Sequence, residues 1–252
     1  RIFYCGKYKS ATEPFRADKM SEENRLQIRE YITPLYDIFI KDVAQSRNIA
    51  ETELRQIAER YDGFSAEKAR QSRLIDRFAY EDEVFSMIKT RIGLSEKEKL
   101  NRVSLEDYFE ARGKKTNFSV KDKIAVVYAE GEIHDGEEGD PGTILDGKYI
   151  KMLRKIRKDP SIKAIVLRVN SPGGSSLASD NILRELDLCR QAGKPVVVSM
   201  GDVAASGGYY IACHADSIFA EPTTITGSIG VFGMIPILEK TMRNKLGITF
   251  DT

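Results

Sequence analysis

The alternation of short apolar runs with helical stretches limits the fold of this chain more than any other feature. Residues 124–128 (IAVVY), 164–169 (AIVLRV) and 195–200 (PVVVSM) are rich in β-branched residues, and each predicts a buried strand. Between them, residues 149–157 and 178–192 predict helices, the second with Ile182, Leu183, Leu186 and Cys189 on one face. Strands and helices in this order predict an α/β fold with a mostly parallel sheet, whose loops at the strand ends carry the chemistry.

The first part of the chain reads as helical instead. Ile28, Ile32, Leu35, Phe39 and Val43 recur at intervals of three or four over residues 21–49, behind a Ser21 cap with Glu22 and Glu23 in the first turn. Pro34 falls inside this amphipathic helix and is expected to kink it or divide it in two. Further helices are predicted over 50–60, 65–72 and 81–92, with Asp62 and Gly63 forming the turn between the first two. Residues 95–117 are dense in charge of both signs, which predicts a solvated connecting segment rather than a nucleic-acid patch. The domain boundary is expected near Lys115, giving parts 1–115 and 116–252.

Lys+Arg 39 against Asp+Glu 38 leaves no global attraction to nucleic acid or to an acidic membrane. Cys5, Cys189 and Cys213 are odd in number and widely spaced, without a CxxC pair, and read as buried or idle thiols. No run approaches the roughly 18 to 20 apolar residues that cross a bilayer. Both ends read as cut, the first at Arg1 without an initiator methionine, so a signal or anchor is expected outside the chain.

Three glycine-bearing segments at strand ends are candidates for chemistry. In residues 201–210 (GDVAASGGYY), Ser206 follows small residues and precedes two glycines, where a backbone can turn sharply and expose a nucleophile. The same pattern also serves as a plain helix cap. Residues 169–175 (VNSPGGS) place Gly173 and Gly174 between a strand and a helix, where backbone N–H groups can meet a developing oxyanion, with the N–H of Gly207 as a second donor. The alternative there is a tight turn. Residues 226–233 (TGSIGVFG) fit no phosphate-loop spacing. A serine needs a base, and the chain has only His134 and His214. His214 would lie about 12 Å from Ser206 along a regular helix, and His134 sits in an acidic, glycine-rich stretch, so neither is an attractive base.

VNSPGGS, AASGGYY and TGSIGVFG after three successive strands resemble the signal peptide peptidase A family, serine proteases of the bacterial envelope within the Clp protease and crotonase superfamily. Residues 6–11 (GKYKSA) with Glu13, Pro14, Phe15, Met20 and Ser21 resemble that family's general-base segment. Residues 63–69 (GFSAEKA) with Leu74, Ile75 and Asp76 resemble the segment closing one repeat, with Arg73 in place of the usual glycine. The resemblance implies a Clp/crotonase-like fold and a window on two tandem repeats: residues 1–115 from the end of the first, 116–252 from the start of the second.

It implies Ser206 as nucleophile, Lys9 rather than Lys7 as general base, Ser228 orienting the lysine, and Gly173 and Gly207 as oxyanion donors. Lysine accepts a proton near neutrality only if its pKa of about 10.4 is lowered, so a dry site around Lys9 is expected. The implied reaction hydrolyses signal-peptide remnants and other hydrophobic peptides through an acyl-enzyme, with no metal, nucleotide or other cofactor. Also implied are an inner-membrane protein facing the periplasm, anchored through a segment outside this chain, and a homo-oligomeric ring. Two competing readings are a crotonase-like acyl-CoA enzyme, which would use the oxyanion hole without Ser206 or Lys9, and a non-catalytic scaffold in membrane-protein quality control.

Overall fold

The structure, a computed structural model, describes residues 2–112, 120–249 and 251. The boundary expected near Lys115 lies outside these residues. The chain forms two compact units, residues 1–35 with 120–252, and residues 36–119.

The chain opens with β1 (Ile2–Tyr4), a 3₁₀ turn (Ser10–Phe15) and α1 (Glu22–Arg47). Ser21 caps α1 as expected, its hydroxyl accepting from the Asn24 N–H at 3.1 Å. Pro34 does not divide α1, which runs unbroken through it. Proline removes one helical donor, and the ladder on either side carries the helix across the gap. The second unit contains the last part of α1 with α2 (Glu51–Glu59), α3 (Ala66–Gln71), α4 (Glu81–Arg91) and α5 (Leu105–Arg112). Its core is Ile40, Ala44, Ile49, Leu54 and Ile57. The buried stripe of α1 therefore falls beside the expected one: Ile28, Ile32 and Phe39 are exposed, while Ile40 and Ala44 are buried against α2. The connecting segment expected over 95–117 is not wholly irregular, because α5 forms inside it with no buried residue. Arg73, standing where the resemblance leads one to expect glycine, keeps the left-handed turn after α3 at φ 61°.

The first unit is built on parallel strands. β2 (Lys123–Glu130) is followed by β3 (Ile133–His134), β4 (Ile144–Leu145), α6 (Asp146–Lys158), β5 (Ile162–Ser171), α7 (Ser176–Gln191) and β6 (Val196–Ala205). After β6 come α8 (Gly207–Tyr210), β7 (Ser217–Phe219), β8 (Ile225–Gly227), β9 (Phe232–Met234) and α9 (Glu239–Leu246). The main sheet has the order β2-β5-β6-β7, with β8 pairing the carboxyl end of β6, and every pair in it is parallel. Of the three predicted strands β5 and β6 are its centre, while β2 is an edge strand whose Ile124, Val126 and Tyr128 are exposed, so the burial expected over 124–128 holds for one face only; the chain is an α/β protein. Alternate residues of these strands, among them Val127, Leu167, Val169, Val198 and Met200, pack on Leu153 and Ile156 of α6 and on Ile182, Leu186 and Cys189 of α7. That contact buries the predicted face of α7.

Two smaller pairings finish the unit. β3 and β4 are parallel, and β1 pairs antiparallel with β9, matching Phe3 with Gly233. Among the described residues no helix is long and apolar enough to cross a membrane.

Candidate active site

Ser206 leaves the carboxyl end of β6 with φ 53° and ψ −117°. This backbone region is strained for any residue with a Cβ and persists only where neighbours enforce it. The Ser206 N–H donates to Gly227 O at 2.8 Å on β8, and Ser206 O accepts from the Tyr210 N–H at 2.9 Å. The two glycines that follow are required by packing. A Cβ on Gly207 would lie 2.6 Å from Ser179 Oγ of α7, and one on Gly208 would lie 2.5 Å from Ser171 O of β5.

The loop after β5 meets this turn backbone to backbone. Gly173 has φ 101°, and a Cβ there would fall 2.5 Å from Gly207 N and 2.8 Å from Ser206 Cβ. The loop is fixed from its other side by β3, since Gly173 O accepts from the Ile133 N–H at 2.9 Å and Ile133 O from the Ser175 N–H at 2.8 Å. The Gly173 N–H donates to the fully buried Ser171 Oγ at 3.1 Å. Gly207 N heads α8, where a helix leaves its first N–H groups without an internal acceptor.

Lys9 stands at the entrance to the 3₁₀ turn, only 8% exposed. Its Nζ donates to Ser228 O at 2.8 Å and Ser228 Oγ at 3.0 Å, and lies 5.9 Å from the centre of the Phe232 ring. Burial lowers the Lys9 pKa from its ordinary value, because the ammonium loses hydration. Lys7, by contrast, is exposed. Ser228 follows Gly227, the residue that accepts the Ser206 N–H, so a single loop anchors both the serine turn and the lysine amine. The β1–β9 pairing brings the two ends of the chain together around this loop.

An apolar cavity of about 320 Å³ opens beside Ser206, walled by Gly174, Tyr209, Tyr210, Cys213, Ile229 and Val231. Neither histidine joins the serine. His214 Nδ1 lies 3.0 Å from Asp187 Oδ2, and His134 Nε2 lies 3.4 Å from Glu132 Oε2. The regular helix expected from Ser206 to His214 is absent: α8 ends at Tyr210, and the Ala212 and Cys213 N–H groups turn back to Tyr209 O and Tyr210 O in tighter steps.

Two supporting residues escape a reading of the sequence. Ser171 holds the Gly173 N–H. Asp146, 8% exposed, accepts from Gly136 N at 2.8 Å, Gly147 N at 2.7 Å and Asn181 Nδ2 at 2.8 Å. Burial pushes the Asp146 carboxyl up, but these bonds outweigh it and hold the pKa below the usual carboxylate value. The signal for it was an acidic residue directly after the apolar pair Ile144 and Leu145, at a helix start.

Fold and site together define a class of α/β proteins that present a serine on a strained turn at the carboxyl end of a parallel sheet. The model of Peptidase family S49 matches residues 1–95 and 189–252, and the chain belongs to that family. It is 37% identical over 258 residues to Protease 4 of Haemophilus influenzae, covering 99% of this chain and 42% of that protein. With Protease 4 of Salmonella typhi the identity is 40% over 258 residues, covering 99% of this chain and 41% of the relative. The chloroplastic serine protease SPPA of Arabidopsis thaliana is 35% identical over 250 residues, covering 95% of this chain and 36% of the relative. The chain thus spans about two fifths of the length of these relatives.

Proposed function

We propose that this chain carries the active site of a serine peptidase in which Ser206 is the nucleophile and Lys9 the general base. The observation that carries the proposal is the buried Lys9 amine on Ser228, one residue from the carbonyl that holds the Ser206 turn. In the first step Lys9 takes the hydroxyl proton while Ser206 Oγ bonds to the substrate carbonyl carbon. The carbonyl oxygen becomes an oxyanion facing the N–H of Gly207, and the Gly173 N–H, which donates to Ser171 Oγ in the structure, joins as second donor by turning from that bond. Collapse of the oxyanion breaks the C–N bond, and Lys9 passes the proton to the departing amine. Water then adds to the acyl-enzyme with the same lysine as base, releasing the acid and restoring the serine. Ser228 orients the amine, and burial lowers its pKa and so favours the neutral form that accepts a proton.

The apolar cavity beside Ser206 suits a hydrophobic side chain next to the scissile bond, which supports signal-peptide remnants and other hydrophobic segments as substrates. The end of one Clp/crotonase-like repeat over residues 1–115 and the start of a second over 116–252 belong to the same proposal, as does a ring of such chains at the bacterial inner membrane, facing the periplasm.

The test is labelling of the complete protein with a serine-directed fluorophosphonate, followed by peptide mapping. The adduct is expected on Ser206 and is expected to form far more slowly in Lys9→Ala. An adduct elsewhere, or none, would overturn the assignment.

A further inference from the structure

The 3₁₀ turn after Lys9 contains a second buried ionic group, and the proposed reaction gives it no role. Glu13 is only 5% exposed and lies one turn beyond Lys9, beside the buried Thr12. Its carboxylate does not face the lysine amine, which is taken up by Ser228. Instead Oε1 accepts from the Ser21 hydroxyl, while Oε2 accepts from the Ser21 N–H at 3.3 Å and from Asn24 Nδ2 at 2.8 Å. The charged group facing it is Arg16, whose Nη2 lies 3.9 Å from Oε1 and whose Nε donates to Thr12 Oγ1 at 3.1 Å. The Ser21 hydroxyl, opposed by burial and helped by Asn24, holds the Glu13 carboxyl below its ordinary pKa. The group is therefore an anion with its acceptors filled.

We propose that Glu13 is a positioning residue for the base: its carboxylate bolts the turn that carries Lys9 to the first turn of α1 and thereby holds the amine on Ser228. Only a short segment separates β1 from this turn, and its exposed residues, Cys5, Gly6, Lys7 and Tyr8, offer it little packing. The Glu13 bonds are what fix its far side. An anion spent on Ser21, Asn24 and Arg16 also leaves the Lys9 ammonium, among the described residues, without an ion-paired carboxylate, as a base that must release its proton requires. This inference rests on the reading of Lys9 as base.

The test compares Glu13→Gln with Lys9→Ala in the complete protein, using peptide hydrolysis across pH. Glutamine keeps the volume but not the charge: its one carbonyl oxygen can accept from Ser21 N–H and Asn24 Nδ2, while its NH₂ group, standing where Oε1 was, no longer accepts from the Ser21 hydroxyl and loses the Arg16 attraction. Expected is a fall in kcat/KM of roughly ten- to a hundredfold, carried by kcat with KM little changed, as for a misplaced catalytic group. The acid limb of the kcat/KM profile is expected to move to higher pH, because a looser turn rehydrates Lys9 and raises its pKa. Asn24→Ala, which removes one of the carboxylate's bonds, should move both quantities the same way by less, and it decides the matter if Glu13→Gln does not fold. Wild-type kcat and an unmoved acid limb in the folded variant would overturn the role of Glu13, provided Lys9→Ala is inactive. An active Lys9→Ala would instead overturn the base assignment.

Discussion

Lys9 Nζ donates to both the hydroxyl and the backbone oxygen of Ser228, 219 residues further along the chain, at 3.0 Å and 2.8 Å. The pair predicts the pH dependence of turnover. Burial disfavours the ammonium, so the Lys9 pKa lies below its ordinary value, and the neutral amine becomes available as pH rises through that lowered pKa. The kcat/KM profile should therefore rise with pH, with its midpoint below about 10.4, the ordinary lysine pKa. Lys9→Arg should abolish the activity, since arginine keeps its proton throughout this range. Ser228→Ala retains the backbone acceptor and should lower kcat/KM by roughly tenfold, the worth of one lost hydrogen bond. A rate–pH profile of the three proteins checks this, and full activity in Lys9→Arg would exclude the lysine as base.

The strain at Ser206 separates its chemistry from its stability. Its φ of 53° with ψ of −117° is a conformation that glycine adopts freely and serine does not. Ser206→Ala and Ser206→Gly should both lose turnover with the hydroxyl. Only the glycine variant sheds the backbone strain, of order 1–3 kcal/mol. Its greater freedom in the unfolded chain takes back up to about 1 kcal/mol. Ser206→Gly should thus unfold at higher denaturant than Ser206→Ala, and equal midpoints would show that the turn is not strained.

What the sequence made legible follows from which interactions are local. The runs at 124–128, 164–169 and 195–200 showed β2, β5 and β6 because contiguous β-branched side chains leave an apolar signature, even though on β2 the alternate residues Ile124, Val126 and Tyr128 are exposed. Cys189 and its neighbours on α7 showed their face by helical spacing alone. Lys9 had no such signal: its burial depends on the β1–β9 pairing and on Ser228, both contributed from the far end of the chain. Only resemblance singled it out among 39 basic residues. The same holds for Asp146, whose partners Gly136 and Asn181 lie on separate segments. The distance to His214 assumed a regular helix, and local spacing does not reveal where a helix tightens and stops.

The close approach of Gly173 to Gly207 makes the loop after β5 intolerant of a single methyl group. An alanine Cβ would sit 2.5 Å from Gly207 N and 2.8 Å from Ser206 Cβ, at a φ of 101° that alanine resists. The methyl meets backbone rather than a flexible side chain, so the two turns must separate. Gly173→Ala should reduce kcat at least a hundredfold through misplacement of about 1 Å. Ser171→Ala, which removes only the Oγ that accepts from the Gly173 N–H, should cost less. Parallel kcat measurements on folded variants check the order, and comparable losses in the two would sink the contact as the cause.

Asp146 ties the loop after β3 and the helix α7 to stability in acid. Its carboxylate accepts from Gly136 N, Gly147 N and Asn181 Nδ2, and these bonds hold its pKa below the ordinary value despite burial. The amide introduced by Asp146→Asn would turn an NH₂ group toward donors, losing about 1.5–3 kcal/mol for each charged bond unmade. The sign with pH follows from linkage. The folded carboxyl binds a proton less readily than the unfolded one, so its contribution is complete above the unfolded pKa of about 3.9 and is lost as pH falls through the lower folded value. The stability gap between wild type and Asp146→Asn should therefore be widest near neutrality and narrow in acid. Denaturant unfolding of both proteins at descending pH measures that gap. A gap that stays constant would mean that the charge of Asp146 contributes nothing and that only its shape matters to its contacts with Gly136 and Asn181.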